Sequence, residues 1–94
     1  IDLIKPGTSE TFYSPWRDEQ RPVRGVLHGM FVFWNIYNFY KQLLSTKSIP
    51  VEAESYLIHR MEDIEMEFKS ISGFKDSEGV TDEGKKLSEN FFSL

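Results

Sequence analysis

Cysteine is absent from this sequence of 94 residues, which excludes a disulfide framework, a thiolate metal site and a cysteine nucleophile. Because cysteine is absent, any bound metal must take its ligands from His, Asp or Glu, and histidine occurs only twice. The sequence also lacks an uninterrupted apolar run of about 18 residues, the length that a transmembrane helix requires. A basic N-terminal region with a small-residue cleavage site is missing too. These absences predict a cytoplasmic protein without a membrane partner.

Basic residues are outnumbered by acidic ones, with 11 Lys and Arg against 15 Asp and Glu and a formal net charge of -4. A surface of this charge does not favour nucleic acid as a partner, because phosphate binding requires clustered cations. The length predicts a single small domain over residues 1–94. The chain starts with Ile1 rather than Met, which tag removal or processing would explain. We expect instead that residues 1–94 are the C-terminal part of a longer chain.

Turn-forming residues and helical periodicity predict an all-α fold with four segments. Residues 1–20 are rich in Pro, Gly, Ser and Thr and predict an ordered N-terminal loop. Pro22 suits the first turn of a helix that continues over residues 21–45. An apolar stripe at helical spacing predicts a long amphipathic helix over residues 51–72. A short last helix over residues 81–92 begins at a threonine that can cap it.

The helix predicted over residues 21–45 is unusually apolar and aromatic. Its apolar side chains cover more than half of its circumference, which is typical of a helix buried on several sides. Two further helices in a small domain can cover only one of those sides, so we expect an oligomer or a larger helical domain. Its polar side chains share one arc of roughly 80 degrees, which comprises Arg24, His28, Asn35, Asn38 and Gln42.

The polar stripe is where chemistry is expected, because buried polar groups must be paired or must face water, a ligand or a metal. His28 is the first candidate for a metal ligand, and its alternative role is a hydrogen-bonded core histidine. Arg21 and Arg24 can each bind a carboxylate through the planar guanidinium group. Their alternative is an ion pair with an acidic neighbour such as Asp18 or Glu19.

A second cluster, His59 with Glu62 and Asp63, has the helical spacing of a metal site. These residues lie opposite the apolar stripe of their helix, so a solvated charged face is the alternative interpretation. No nucleophile elbow, phosphate-binding loop or His-Glu-x-x-His zinc motif is present in the sequence. The chain therefore contains no complete catalytic constellation.

One long segment, YSPWRDEQRPVRGVLHGMFVFWNIYNFY at residues 13–40, resembles a known family. It is similar to the HExxH-motif peptide-modification proteins, also described as α-ketoglutarate-dependent HExxH-type peptide β-hydroxylases. A weaker similarity covers GVTDEGKKL at residues 79–87, which looks like the end of those proteins. The residues that carry the main resemblance are Tyr13, Pro15, Trp16, Arg17, Asp18, Arg21, Pro22, Gly25, His28 and Gly29.

The resemblance implies a longer enzyme that acts on a peptide substrate, as in the biosynthesis of ribosomally made and modified peptides. In it, the two histidines of an upstream HExxH and a later histidine hold Fe(II) beside α-ketoglutarate. Carried over to this sequence, His28 corresponds to the later metal ligand. Arg21 and Arg24 are the candidate residues that bind the cosubstrate carboxylate, and Asn35 is a third candidate on the same stripe.

This chain departs from the family pattern, since neither His28 (HGMFV) nor His59 (HRMED) begins an HExxH motif. By itself it is therefore not expected to bind a catalytic iron tightly or to turn over, and the HExxH must come from the remaining polypeptide or a partner chain. Two other functions stay open. One is a non-catalytic helical module for protein interaction or homodimerisation, and the other is a fragment of an HExxH metallohydrolase.

Overall fold

The computed structural model describes residues 3–93, which form a mainly helical fold with one small β-hairpin. None of the helices in this described part is long and apolar enough to cross a membrane. A 3-10 helix at Ser72–Asp76 connects the second and third α-helices. The other elements are β1 (Thr11–Ser14), β2 (Glu19–Pro22), α1 (Val23–Thr46), α2 (Val51–Ser70) and α3 (Asp82–Phe91).

The N-terminal loop predicted over residues 1–20 is wrong in part, because β1 and β2 form an antiparallel hairpin there. The register places Ser14 opposite Glu19 at the turn. Asp18 has a φ of 53° in this turn, a conformation that Asp tolerates better than most residues. The strands are short, mostly polar and end at Pro22, so they lack the apolar alternation that identifies strands. Residues 1 and 2 of the predicted loop lie outside the described residues.

The three predicted helices are present with shifted ends. The helix predicted over residues 21–45 begins after Pro22, whose extended backbone serves as the N-cap, and ends before Lys47 in the left-handed conformation. The helix predicted over residues 51–72 ends two residues earlier, since the chain tightens into the 3-10 helix. In α3 the Thr81 hydroxyl accepts a hydrogen bond from the Gly84 amide at 3.1 Å, as the predicted cap requires.

The hydrophobic core lies at one end of the molecule, which we call the base. Its residues come from the N-terminal segment, the first turns of α1, the end of α2, the 3-10 helix and α3. They are Ile4, Val23, Val26, Leu27, Met30, Phe68, Ile71, Phe74, Val80 and Phe91.

Long-range polar contacts close the base. Ile4 and Val80 form an isolated antiparallel bridge. Glu10 accepts hydrogen bonds from the Ser77 hydroxyl and, at 3.0 Å, from the Gly79 amide. The pKa of Glu10 is lowered mainly by the hydrogen bond from Ser77. Burial raises this pKa in part, whereas the amides of Gly79 and Glu78 and the charge of Lys85 lower it further. The N-terminal segment is thereby attached to the connection that precedes α3.

The other end of the molecule is a two-helix hairpin, residues 35–66, which we call the arm. It gives the molecule its elongated dimensions of 48 × 26 × 15 Å. Its inner side buries Tyr37, Leu57 and Ile64, and the Tyr37 hydroxyl donates to Glu65 at 2.9 Å. Burial, together with this hydrogen bond, raises the pKa of Tyr37 to about 12. The arm is therefore held by a single layer of contacts between two helices.

The sequence predicts that the helix over residues 21–45 is buried on several sides, but part of α1 is open to solvent. Phe31 is 49% exposed and Phe39 is 56% exposed. The polar stripe of α1 also faces outward, since Arg24, His28 and Asn35 are exposed. In the described part of the chain, α2, α3 and the hairpin all pack on α1, and the side that carries Arg24, His28 and Asn35 stays uncovered.

Candidate functional site

The turn between β1 and β2 presents an aromatic and a basic side chain beside α1. It has the sequence Pro-Trp-Arg-Asp at residues 15–18. The Ser14 carbonyl accepts hydrogen bonds from the amides of Arg17 at 3.2 Å and Asp18 at 2.8 Å. These bonds close a short turn from which Trp16 packs partly buried while Arg17 is exposed.

Trp16 lies directly on α1 because a glycine leaves room for its ring. A Cβ atom at Gly29 would lie 2.8 Å from Trp16 Cε3, which is closer than van der Waals contact allows. The indole stacks on Phe33, with ring centroids 5.0 Å apart and an interplanar angle of 7°. The indole also packs edge-on against Phe68 of α2, with the ring centroids 5.8 Å apart. Gly29 therefore accommodates the indole side chain of the hairpin turn.

The underside of Trp16 faces a buried carboxylate on α2. Trp16 Nε1 and Glu67 Oε1 are both buried and neither makes a hydrogen bond of normal geometry among the described residues. Burial raises the pKa of Glu67, while the charge of Arg60 and the indole N–H act in the opposite direction. Glu67 therefore carries its charge at a cost in this position.

Arg21 lies beside the indole on the same side of α1. Its Nε is 3.6 Å from the position that a Cβ atom at Gly25 would occupy, so the missing side chain gives the guanidinium its place. Arg21 Nη1 pairs with Glu19 Oε1 at 3.3 Å, and both side chains are substantially exposed. The predicted alternative of an ion pair with an acidic neighbour is thus observed for Arg21. An exposed pair of this kind contributes little to stability.

His28 lies on α1 between two grooves. The first, which we call the leucine groove, has a volume of about 340 Å³ and is bordered by Leu3, Leu27, Phe31, Leu87, Arg24 and His28. The second, which we call the tryptophan groove, has a volume of about 320 Å³ and is bordered by Trp16, Arg17, Arg21, Val32, Phe33 and His28. The two candidate arginines are therefore separated, and His28 is the candidate residue that both grooves share.

The remaining candidates lie apart from these grooves. The Asn35 amide donates to the Phe31 carbonyl at 2.7 Å, so it is partly satisfied by its own helix. His59 lies on the exposed side of α2, with Nε2 3.7 Å from Asp63 Oδ2, and Asp63 also pairs with Arg60 at 3.3 Å. This is the solvated charged face that was the alternative interpretation for the second cluster.

A metal centre is not formed by the described residues. No group of three or more His, Asp or Glu side chains in residues 3–93 is close enough to hold an ion. His28 makes no hydrogen bond or ion pair within that range, so its imidazole is free to act as one ligand. An iron site at His28 requires its other ligands from outside the described residues.

Sequence reasoning missed Arg17 as a candidate site residue, although it belongs to the segment that carries the resemblance. Its signal is the turn chemistry between Pro15 and Asp18, which predicts exposed side chains there. The sequence gives no indication that this turn lies over Gly25 and Gly29. Only the folded hairpin brings Arg17 and Arg21 to one groove.

Comparisons with known proteins identify no relative of this chain. The sequence matches no protein-family model and no curated protein, and the fold matches no solved structure. The interpretation of the two grooves therefore depends on their own geometry and charge.

Proposed function

We propose that this chain is the C-terminal part of an iron- and α-ketoglutarate-dependent oxygenase that modifies peptides, similar to the peptide β-hydroxylases. In this proposal His28 supplies one metal ligand, and the two grooves beside it form part of the substrate pocket. The observation that carries the proposal is an exposed imidazole without a partner in residues 3–93, situated between two grooves that each contain an arginine.

Of the two described imidazoles, only that of His28 lies beside the grooves, so an HExxH in the remaining polypeptide or in a partner chain must complete the site. Bound iron and the oxo-acid would supply the oxidising power that protein side chains lack. Arg24 lies one helical turn before His28 on the same side of α1, where its guanidinium can bind a carboxylate in the leucine groove. Arg21 occupies the corresponding place in the tryptophan groove, where Glu19 already contacts it.

The exposed apolar surface supports the larger helical domain in this proposal. The accessible surface is 6282 Å², whereas a compact monomer of 11.0 kDa has about 5,600 Å². Phe31, at 49% exposure, lies between the leucine groove and the arm, and Met66 at 69% lies on the outer side of α2. Further helices packed on these residues would bury α1 on the sides that are open here.

Other exposed residues favour a second candidate, a helical module for protein interaction or homodimerisation. Phe39 and Tyr56 are large apolar side chains of the arm that meet solvent on more than half of their surface. Exposed apolar groups that are gathered in one region are typical of interaction surfaces. A stable dimer of residues 1–94 that needs no metal would favour this candidate over the oxygenase.

The test is the variant His28→Ala in the intact polypeptide, with His59→Ala as the matched control. We expect His28→Ala to lose iron and peptide oxidation while its circular dichroism stays unchanged, because the side chain is exposed and makes no hydrogen bond or ion pair with residues 3–93. His59→Ala should keep its iron, since it belongs to an exposed ion pair. Unchanged iron content and turnover in His28→Ala would exclude His28 from the mechanism.

The mass of the product distinguishes the enzyme classes. A peptide that gains one oxygen atom supports the oxygenase, and a cleaved peptide supports the metallohydrolase. The sequence that precedes Ile1 in the source polypeptide gives an independent test, because the proposal requires an HExxH there or in a partner chain.

A further inference from the structure

We infer that the tryptophan groove binds an acidic peptide segment, with an apolar side chain on the Trp16 and Phe33 rings and a neighbouring carboxylate on Arg17 and Arg21. The binding requires no metal and no oxo-acid, so it goes beyond the oxygenase chemistry. Only the further step that identifies the bound peptide as the enzyme substrate rests on the proposed function.

The floor of the groove is flat and apolar. The rings of Trp16 and Phe33 are nearly parallel, with an interplanar angle of 7° and centroids 5.0 Å apart, and both remain partly exposed. Gly25 and Gly29 add no side chains between them, so the groove stays open along one side of α1. Partly exposed aromatic rings favour contact with an apolar side chain, because the contact removes apolar surface from water.

The rim of the groove is positively charged. Arg17 is exposed and makes no side-chain hydrogen bond or ion pair with residues 3–93. Arg21 uses one nitrogen for Glu19 at 3.3 Å, so most of the five N–H donors of its guanidinium remain available. Two guanidinium groups beside an apolar floor fit a carboxylate that is attached to an apolar group.

The charge distribution of the chain makes an acidic ligand the favoured occupant. The protein carries a net charge of -4, and α2 alone holds Glu52, Glu54, Glu62, Asp63, Glu65 and Glu67. Asp18 and Glu19 lie on the same turn, but the charged side chains that border the groove itself include Arg17 and Arg21 and no carboxylate. Within an acidic chain, the groove therefore favours an anion. Two arginines are few for a nucleic acid, whose binding depends on many phosphate contacts.

The size of the groove limits the ligand to a short segment. Its volume of about 320 Å³ is at the lower end of ligand pockets, which span about 300–1,000 Å³. One apolar side chain and an adjacent carboxylate fit such a space, whereas a folded partner would require a larger surface. The occupant is therefore a peptide segment in which an apolar residue is next to Asp or Glu.

The experiment uses three capped tetrapeptides and the 94-residue chain. Acetyl-Gly-Phe-Glu-Gly-amide carries both features, acetyl-Gly-Phe-Gln-Gly-amide lacks the charge, and acetyl-Gly-Ser-Glu-Gly-amide lacks the apolar ring. Binding is followed by NMR through the indole N–H of Trp16, and the indole N–H of Trp34 serves as the internal reference. The Trp34 ring packs against Phe91, with the centroids 5.4 Å apart, and does not border the groove. We expect the first peptide to bind at least about tenfold more tightly than either control peptide.

Variants that each remove one positive charge test the charged rim. Arg17→Gln should weaken binding of the first peptide by about tenfold, which corresponds to the loss of one charge-assisted hydrogen bond. Lys41→Gln removes one positive charge from the exposed side of the arm, away from the groove, and should leave the affinity unchanged. Glu19→Gln should tighten binding, because it releases Arg21 from its internal partner.

Several results would overturn the inference. Equal binding of the charged and neutral peptides would exclude the carboxylate contact, and equal weakening by Arg17→Gln and Lys41→Gln would indicate attraction by net charge alone. Signals that move at Trp34 but not at Trp16 would place the ligand elsewhere. Self-association that buries Trp16 in the absence of peptide would show that the groove receives a second copy of the chain. The comparison of the three peptides needs no variant, so a variant that fails to fold does not prevent the test.

Discussion

The base and the arm use the same two helices in different ways. In the base, α1 and α2 are joined by the N-terminal segment, the 3-10 helix and α3, and Val26, Met30 and Phe74 are fully buried. In the arm the same helices have only each other, and large apolar side chains such as Phe39 stay exposed. An apolar helix therefore does not by itself indicate burial, because burial depends on how many segments return to cover it.

The largest expected difference between the two regions is the cost of removing a buried ring. Phe74→Ala in the base should lower the free energy of unfolding by about 3–5 kcal/mol, because it leaves a cavity among packed side chains. Phe39→Ala in the arm should cost less than about 1 kcal/mol. Phe39 is 56% exposed, and its ring centroid lies 6.3 Å from that of Tyr40. Urea denaturation of both variants measures these values. A cost at Phe39 equal to that at Phe74 would mean that a partner covers the arm in solution.

A smaller effect is expected where the N-terminal segment meets α3. A Cβ atom at Gly84 would lie 2.3 Å from the Leu3 carbonyl oxygen and 2.6 Å from Val80 Cγ1. Gly84→Ala should therefore displace the N-terminal segment and cost about 1–3 kcal/mol of stability.

Gly73→Ala is the matched control for that variant, because no atom lies within 4 Å of the added methyl group. Thermal unfolding monitored by circular dichroism compares the two variants. If both melt at the wild-type temperature, the contact between the N-terminal segment and α3 does not contribute to the stability of the base.

The smallest expected effect is a difference in acid sensitivity. The pKa of Glu10 lies below its ordinary value of 4.5 in the folded state, mainly because the Ser77 hydroxyl donates to the carboxylate. A lowered folded pKa means that the contribution of Glu10 is complete above pH 4.5 and is lost as the pH falls through the folded value. Glu10→Gln should therefore lose less stability than the wild type between neutral and acidic pH.

Urea denaturation at a series of pH values measures this difference, and Glu62→Gln on the exposed face of the arm is the control. Glu62 makes no ion pair with another described residue, so its replacement should leave the acid sensitivity unchanged. An identical pH profile for the wild type and Glu10→Gln would show that Glu10 does not link the N-terminal segment to the base.

Local patterns in the sequence predicted the helical part of the fold. The apolar spacing of residues 51–72 predicted an amphipathic helix, and Leu57, Ile64 and Phe68 of its apolar stripe are buried. Thr81 was predicted as a cap because a hydroxyl at that position can accept from the first turn of a helix. These features depend on residues three or four positions apart, and a single sequence contains that information.

The hairpin and the grooves depend on contacts that a single sequence does not display. The residues of β2 are polar and end in Pro22, so no alternation marks them as a strand. The role of Gly29 depends on Trp16, and whether two such residues meet is decided by tertiary packing. The polar stripe of α1 was predicted correctly as a single face, but the coverage of that face depends on segments that pack elsewhere.

The contacts that close the base also determine when it can form. Glu10 meets Ser77 and Gly79 across 67 and 69 residues of sequence, so these bonds form only after nearly the whole chain is available. The contacts within the arm join residues that are closer in sequence, such as Tyr37 and Glu65 at 28 positions, so the arm can assemble earlier. During synthesis, α1 and α2 leave the ribosome before the 3-10 helix and α3, so Trp34 and Phe68 lack their contacts with Phe91 and Phe92 in that interval. Apolar surface that is uncovered in this way favours aggregation and binding by a chaperone.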